Sequence, residues 1–381
     1  MRSSVYALTS NGNAFNGRHL LNGRHNHESS WIRTASPVLI TGGAGFIGTN
    51  LAFRLLSQGQ PVVVLDNLSR NGANANLQFL SSRFGKLIEA RIGDVRDASE
   101  LRKSVKKVSA VFHFAAQVAV TTSLKCPLED FEVNARGTLN LLEALKSLEK
   151  PAVLLFTSTN KVYGRLESIL LEEAGTRYVP RDPEIRRRGI GDDCHLDFHS
   201  PYGCSKGAAD QYVLDYANNF GLTAIVFRMS CIYGTHQRGN EDQGWVAHFV
   251  SRFCGGKPLT IFGDGKQVRD LLFVDDLIDA MLLAHDHASE LTGRAFNIGG
   301  GPTNAISLLE LIQLLREMGI AAPEIRSAQW RAGDQYYYVS DTARFRHLTG
   351  WRAKIGIREG LHRLYQWLAT APTDPISQFS N

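Results

Sequence analysis

Tyr202 and Lys206 stand one helical turn apart in the run Tyr202-Gly203-Cys204-Ser205-Lys206, so a helix there carries both on one face. A tyrosine with a pKa of about 10 is a poor base at neutral pH. A lysine ammonium and a second cation nearby favour its phenolate. Such a phenolate can take the proton of a sugar hydroxyl while hydride leaves the same carbon for a nicotinamide. Upstream, an apolar run at 153–156 ends in Thr157-Ser158-Thr159. The Thr159 hydroxyl is suited to bridge to the same substrate oxygen and hold it in register. Taken alone, Tyr-x-x-x-Lys is a common pattern on a solvated helix face. It gains meaning from a second constellation.

That constellation is Gly42, Gly45 and Gly48, which follow the apolar Val38-Leu39-Ile40. Gly42 permits a tight turn, Gly45 leaves room where a pyrophosphate approaches the backbone, and Gly48 lets a helix pack closely on the strand. Phe46 and Ile47 open that helix, whose N-terminus then faces the phosphates. The next apolar run, 62–65, ends at Asp66, followed by Asn67. A carboxylate at this distance from the first glycine binds an adenosine ribose and repels a 2′-phosphate, so NAD is expected over NADP.

The elements that position these groups alternate. Strands are expected at 38–41, 61–66, 87–91, 110–114, 153–156 and 223–227, with helices at 46–58, 99–107, 128–148 and 201–220. The alternation implies an α/β fold, a Rossmann-type doubly wound parallel sheet. Beyond about residue 235 the rhythm breaks into glycine-rich turns, short strands and helices at 276–288, 307–318 and 357–368. This reads as a smaller α+β substrate-binding lobe. The domain expectation is a disordered tail at 1–36, the NAD-binding domain at 37–235, the second lobe mainly at 236–370 and interleaved with the first, and a tail at 371–381. Asp66, Asp94, Ala115 and Thr157–Thr159 all fall at strand carboxyl ends, where open α/β sheets bind ligands.

The 381 residues, 43% hydrophobic and 21% charged, match a globular protein. No apolar run reaches the roughly 18 residues of a membrane span. The net charge of +5 owes about 3 to the first 36 residues, so no nucleic-acid footprint is expected. That segment is Arg-bearing and acid-poor but lacks the apolar core of a secretory signal. Cysteines 126, 194, 204, 231 and 254 show no C-x-x-C spacing, which suggests reduced thiols, a cytoplasmic location and no metal centre. His113 reads as a core residue on a buried strand, His195 and His199 lack metal-ligand spacing, Cys204 reads as packing, and 181–188 reads as a solvated basic loop.

In this order, the glycine turn, the hydroxyl cluster and Tyr-x-x-x-Lys resemble the extended short-chain dehydrogenase/reductase family of nucleotide-sugar epimerases and dehydratases, over about residues 37–370. The resemblance implies that Asp94 and Val95 lie at the adenine, and that Ala115, Ala116, Gln117, Asn134, Thr157 and Ile232 lie around the cofactor. It implies Thr159, Tyr202 and Lys206 as the catalytic group. Sugar dehydratases of this family carry an Asp-Glu pair after the position of Thr159, whereas this chain has Asn160-Lys161, which argues against dehydration. The runs 158–164, 196–212, 242–246 and 265–270 are similar to the family's 2-epimerase branch, which acts on CDP-linked hexoses in carbohydrate and lipopolysaccharide biosynthesis. That likeness implies transient oxidation at C2 by a resident NAD. Asn160, Gln243 and Trp245 would line the sugar or nucleotide pocket, and Arg269 and Arg331 would hold the diphosphate, because guanidinium forks match phosphate oxygens. Family habit also implies a homodimer or homotetramer built through two helices per subunit. The alternatives are a 4-epimerase or net oxidoreductase on the same scaffold, or a non-catalytic NAD-sensing or RNA-binding protein. Intact Thr159, Tyr202 and Lys206 argue against the last.

Overall fold

Seven parallel strands make the central sheet of the computed structural model, which describes residues 34–331 and 333–370. The expectations for the two tails lie outside the described residues, apart from positions 34–36. Across the sheet the order is Arg294–Ile298, Ala224–Met229, Val153–Thr159, Ala110–His113, Val38–Thr41, Val62–Asp66, Ile88–Ile92. The chain begins in the middle and winds outward in both directions. The strand order therefore reverses between Val38–Thr41 and Ala110–His113, and a crevice opens at their carboxyl ends.

The inner strands are continuous apolar runs because helices cover both faces. On one face Val38, Ile40, Val62, Val64, Phe112 and Leu155 pack with the helices Phe46–Ser57 and Val274–Asp286. On the other, Leu39, Val63, Val111, Leu154 and Phe156 meet Leu141, Leu145, Ala209 and Val213 from the helices Gly137–Lys146 and Ser200–Phe220.

Two expectations change in form. The helix expected at 128–148 is broken into α-helix Pro127–Phe131, a π-helical turn Glu132–Arg136, and α-helix Gly137–Lys146. The wider turn carries Asn134, and such turns recur at functional sites. The basic segment expected as a loop at 181–188 includes the short helix Pro183–Arg188, started by Asp182, whose side chain accepts from Glu184 N–H. Its arginines pair with Glu172, Glu184 and Asp341 on the surface.

The chain crosses position 235 in both directions. Arg294–Ile298 returns to the edge of the large sheet, pairing with Ala224–Met229. The second lobe draws on Cys231–Tyr233, Val268–Phe273, Ala305–Ser307 and Tyr337–Tyr338, which form a small mixed sheet. A separate parallel pair, Leu259–Phe262 with Ile325–Ala328, flanks it. A buried ion pair ties the large sheet to its covering helix: Arg228 reaches both oxygens of Asp210 at 3.0 Å and also donates to the Tyr163 hydroxyl at 3.2 Å. Tyr163 in turn donates to Asn297 at 2.7 Å.

Candidate active site

The glycine turn is built as its spacing predicts. Gly42 has φ +67°, and a Cβ there would sit 2.7 Å from the Ala115 nitrogen. A Cβ at Gly48 would lie 2.4 Å from the Gly42 carbonyl oxygen, so the helix can close on the turn only as glycine. Gly45 is the N-cap of Phe46–Ser57, and no side chain caps that helix. The N–H groups at its start, on Phe46 and Ile47, are left for an anion. Asp66 accepts from Ala44 N–H at 3.0 Å and from Leu68 N–H at 2.8 Å. Burial raises its pKa, and these backbone donors pull against that. Carboxylate lone pairs remain for ribose hydroxyls. An uncapped helix start, a Cβ-free turn and an oriented carboxylate together fit a dinucleotide.

Other residues expected around the cofactor lie along the same crevice, several of them already engaged. Asp94 accepts from Asn67 at 2.8 Å and receives Arg96 on both oxygens at 2.9 Å. The Arg96 guanidinium holds its carboxyl down at about 2. Its side chain must yield a partner before it can touch adenine. Val95 is buried in the core, and its carbonyl accepts from Asn140 at 3.2 Å. Ala115 and Ala116 are half-buried at the end of Ala110–His113. Asn134 is fully buried. Its amide spans both main-chain groups of Gln117 at 2.9 Å and donates to Ser205 Oγ at 3.1 Å. Gln117 donates to Asp130 at 2.7 Å. Asn134 and Gln117 therefore brace the crevice wall through each other, Asp130 and Ser205. Ile232 is half-buried on Cys231–Tyr233, at the junction with the second lobe.

Thr157, Thr159, Tyr202 and Lys206 converge at the end of Val153–Thr159. Lys206 Nζ donates to the Thr157 carbonyl at 2.6 Å and lies 4.2 Å from the centre of the Phe156 ring. Burial pushes the ammonium down to about 7, while Asp210 and Asp130 pull it back up. Tyr202 is 8% exposed. Burial pushes its phenol up to about 12, opposed by a hydrogen bond with the Thr159 hydroxyl. The Thr159 hydroxyl donates to Asn160 Oδ1 at 3.3 Å and accepts from Lys161 N–H at 3.2 Å. Ser158 Oγ is buried without a hydrogen-bond partner among the described residues. His113 bridges Thr41 at 2.6 Å and Thr138 at 3.1 Å, and burial lowers it to about 3, so it is a neutral core histidine.

A cleft of about 220 Å³ opens beside this group, lined by Asn160, Gln243, Trp245, Arg269, Arg331 and Asp334 among others. Every expected substrate residue but Thr159 lines it, and Thr159 precedes Asn160 in the chain. Arg269 is anchored by the carbonyls of Val268 at 2.8 Å and Gln335 at 2.7 Å. Arg331 stacks on Phe262, 3.7 Å from the ring centre, and donates to the Glu241 carbonyl. Trp245 donates to Cys231 Sγ at 3.3 Å. Three lining side chains missed by the sequence reading, Thr121, His248 and Gln267, each hold a buried polar atom with no hydrogen-bond partner among the described residues. Gln267 directs its NH₂ to the Phe262 carbonyl at 2.8 Å, which leaves its oxygen as the free acceptor. Gln267 lies in a run that carried the family likeness. The convergence of Thr121 and His248 is tertiary and has no local signal.

Comparison with known proteins agrees with this geometry. The chain is 44% identical over 340 residues to CDP-paratose 2-epimerase of Salmonella typhi, covering 87% of this chain and 99% of the relative. UDP-glucose 4-epimerase of Thermus thermophilus, solved in complex with NAD, superposes with a TM-score of 0.73 at 31% identity, over 88% of this chain and 100% of that one. UDP-glucuronic acid 4-epimerase of Bacillus cereus, solved with UDP-glucuronic acid and NAD, gives a TM-score of 0.75 at 26% identity, over 87% and 98%. With residues 38–299 also matching the family profile, the glycine turn, oriented carboxylate and Tyr-Lys pair place this chain in the NAD dependent epimerase/dehydratase family.

Proposed function

We propose that the protein inverts C2 of a CDP-linked hexose, taking CDP-paratose to CDP-tyvelose through a transient 2-keto sugar. The observation that carries this reading is the union of the Thr159–Tyr202–Lys206 group with a cleft that holds Lys161, Arg269 and Arg331 and has Asn160-Lys161, not a carboxylic acid, next to Thr159. The 44% identity to a CDP-paratose 2-epimerase supports C2 and CDP over the alternatives.

Phe46, Ile47 and Gly48 would hold the pyrophosphate of NAD, Asp66 the adenosine ribose, and Lys206 the nicotinamide ribose. Bound there, NAD supplies a reversible hydride acceptor. The chain's residues manage the proton. Tyr202, as phenolate, takes the proton of the C2 hydroxyl, and Thr159 holds the same oxygen. On the return Tyr202 gives the proton back to the ketone oxygen. Arg269 and Arg331 keep the diphosphate while the sugar turns its other face. Because the redox state is restored in each cycle, no net oxidant is consumed.

Burial of a bare phenolate is costly, which is why Tyr202 sits high in the cofactor-free protein. The Thr159 hydroxyl and the charge of Arg70 favour its ionisation, and the Lys206 ammonium and a cationic pyridinium would add to that. Five free cysteines among the described residues support a cytoplasmic location. No described helix is long and apolar enough to cross a membrane. A homodimer, alone or paired into a homotetramer, is supported by Leu124, Leu128, Phe131, Tyr212 and Phe220. These stand 45–81% exposed on Val120–Lys125, Pro127–Phe131 and Ser200–Phe220, and an exposed apolar patch of this kind marks an interface.

Purified protein given CDP-paratose without added NAD is expected to form CDP-tyvelose, followed by NMR, and to release NAD on denaturation. No conversion, even with NAD supplied, would sink the reading. Tyr202→Phe is expected to lose on the order of 10²–10⁴-fold in kcat while still retaining NAD. The working base is the deprotonated phenol, so kcat should rise with pH along an acid limb. In Lys206→Met that limb should move to higher pH, and an unmoved limb would remove the lysine from the ionisation. For the interface, Leu128→Glu should shift the sedimentation profile toward monomer, whereas an unchanged profile would place subunit contacts elsewhere.

A further inference from the structure

One cation in the cleft takes part neither in the proton transfer nor in the arginine grip on the diphosphate. Lys161 rides on the turn Asn160–Tyr163, two residues past Thr159, and its own main-chain N–H is hydrogen-bonded to the Thr159 hydroxyl. Its side chain reaches across to the second lobe, where Nζ donates to the Gly333 carbonyl at 3.1 Å. An ammonium has three N–H donors, and among the described residues this is the hydrogen bond Nζ makes. It has no ion pair there either, since the nearby carboxylate of Asp334 lies 3.5 Å from Arg269. Withdrawal from water lowers the lysine to about 8. Arg269 adds to that, and Asp334 and Cys231 oppose it. Those are the charged and titratable groups that face it from the strands Val268–Phe273 and Cys231–Tyr233 and from the loop at 333–336. Arg331, Glu241, Asp242 and His248 line the same cleft. A cation withdrawn from water with no direct ion pair among the described residues is costly unless a ligand supplies one.

We propose that Lys161 grips the phosphate joined to C1 of the sugar and so selects C2, rather than C4, for oxidation. The proposal rests on the C2-epimerase reading above. In a nucleotide-linked sugar the diphosphate is the anionic part. C2 is one bond from the carbon that carries it, whereas C4 lies across the ring. Bringing C2 to Tyr202 and Thr159 draws the first phosphate in close behind it. Chemistry at C4 leaves that phosphate a ring's width further away. A cation two residues from Thr159 favours the first pose. Arg269 and Arg331 are partly committed to main-chain carbonyls, while Lys161 keeps two donors and a flexible stem.

Paratose, a 3,6-dideoxyhexose, carries free ring hydroxyls at C2 and C4, so the product itself reports which carbon reacted. Wild type, Lys161→Met and Lys161→Arg would be compared as full-length protein with CDP-paratose, with products resolved by NMR. Lys161→Met is expected to lose on the order of 100-fold in C2 inversion, the size of one lost charge-assisted hydrogen bond, and to form C4-inverted sugar beside the C2 product. Lys161→Arg should restore the preference for C2. Titration with CDP between pH 7 and 9 gives a second readout. Wild-type affinity should fall as pH rises through the lysine's pKa, and Lys161→Met should bind weakly with no such slope. Lys161→Met with unchanged kcat/KM, C2 product alone and an unchanged pH slope for CDP would overturn the proposal. So would a general loss of activity that Lys161→Arg fails to rescue. If wild type leaves CDP-paratose untouched, the epimerase reading falls. The CDP titration then decides Lys161 by itself, and equal affinities in wild type and Lys161→Met reject it.

Discussion

Lys206 Nζ against the Thr157 carbonyl, 2.6 Å away in the interior, is the contact on which the candidate site depends. It ties the long helix Ser200–Phe220 to the carboxyl end of a central strand, and so sets Tyr202, one turn earlier, beside Thr159. An ammonium there is costly to bury. Two carboxylates offset it. Asp210 is held on both oxygens by Arg228 at 3.0 Å. Asp130 receives Ser205, Gln117 and Asn134. The first links the lysine to the large-sheet strand Ala224–Met229, the second to the crevice wall. Loss of any member leaves a charge or donor unmatched near the site, so geometry and protonation are set by one network.

The cleft carries charge of both signs, with Lys161, Arg269 and Arg331 set beside Glu241, Asp242 and Asp334. Arg269, Arg331 and Lys161 project into a cleft where main-chain carbonyls are their chief partners. Carbonyls orient a cation without neutralising it, and low-dielectric walls focus the field that remains. Among the described residues, Asp334 is the carboxylate set against Arg269, at 3.5 Å. The unmatched polar atoms of Thr121, His248 and Gln267 face the same space. Such a cavity suits an anion with a polar body, which is what a nucleoside diphosphate attached to a sugar presents.

Much of this was legible in the sequence because it is local. The glycine turn, Asp66 at the end of its strand and Tyr202 one turn from Lys206 are patterns within a few residues, and each has the environment its spacing implies. Where the reading fell short, tertiary contacts decided. The network that joins the amides of Asn134 and Gln117 to Asp130 and Ser205 links separate segments and has no local signal. The π-turn around Asn134 has no periodic signature, since the apolar spacing of one wide turn barely differs from that of an α-helix. Strand Arg294–Ile298 returns to the large sheet after a long excursion through the second lobe, and no local feature marks which sheet a short strand joins. Lys161 was legible only as a non-acid. Its reach to Gly333 depends on a loop 172 residues further along the chain.

The account turns on hydrogen leaving and re-entering C2 as hydride, with the proton handled separately by Tyr202. Turnover of CDP-paratose in D₂O tests this most directly, with deuterium at C2 of the product read by NMR and mass spectrometry. Hydride carried on a bound cofactor does not exchange with solvent, so the product should carry protium at C2 after many turnovers. Deuterium at C2 would mean that inversion proceeds by removing and restoring a proton on carbon, and would contradict the transient-oxidation mechanism.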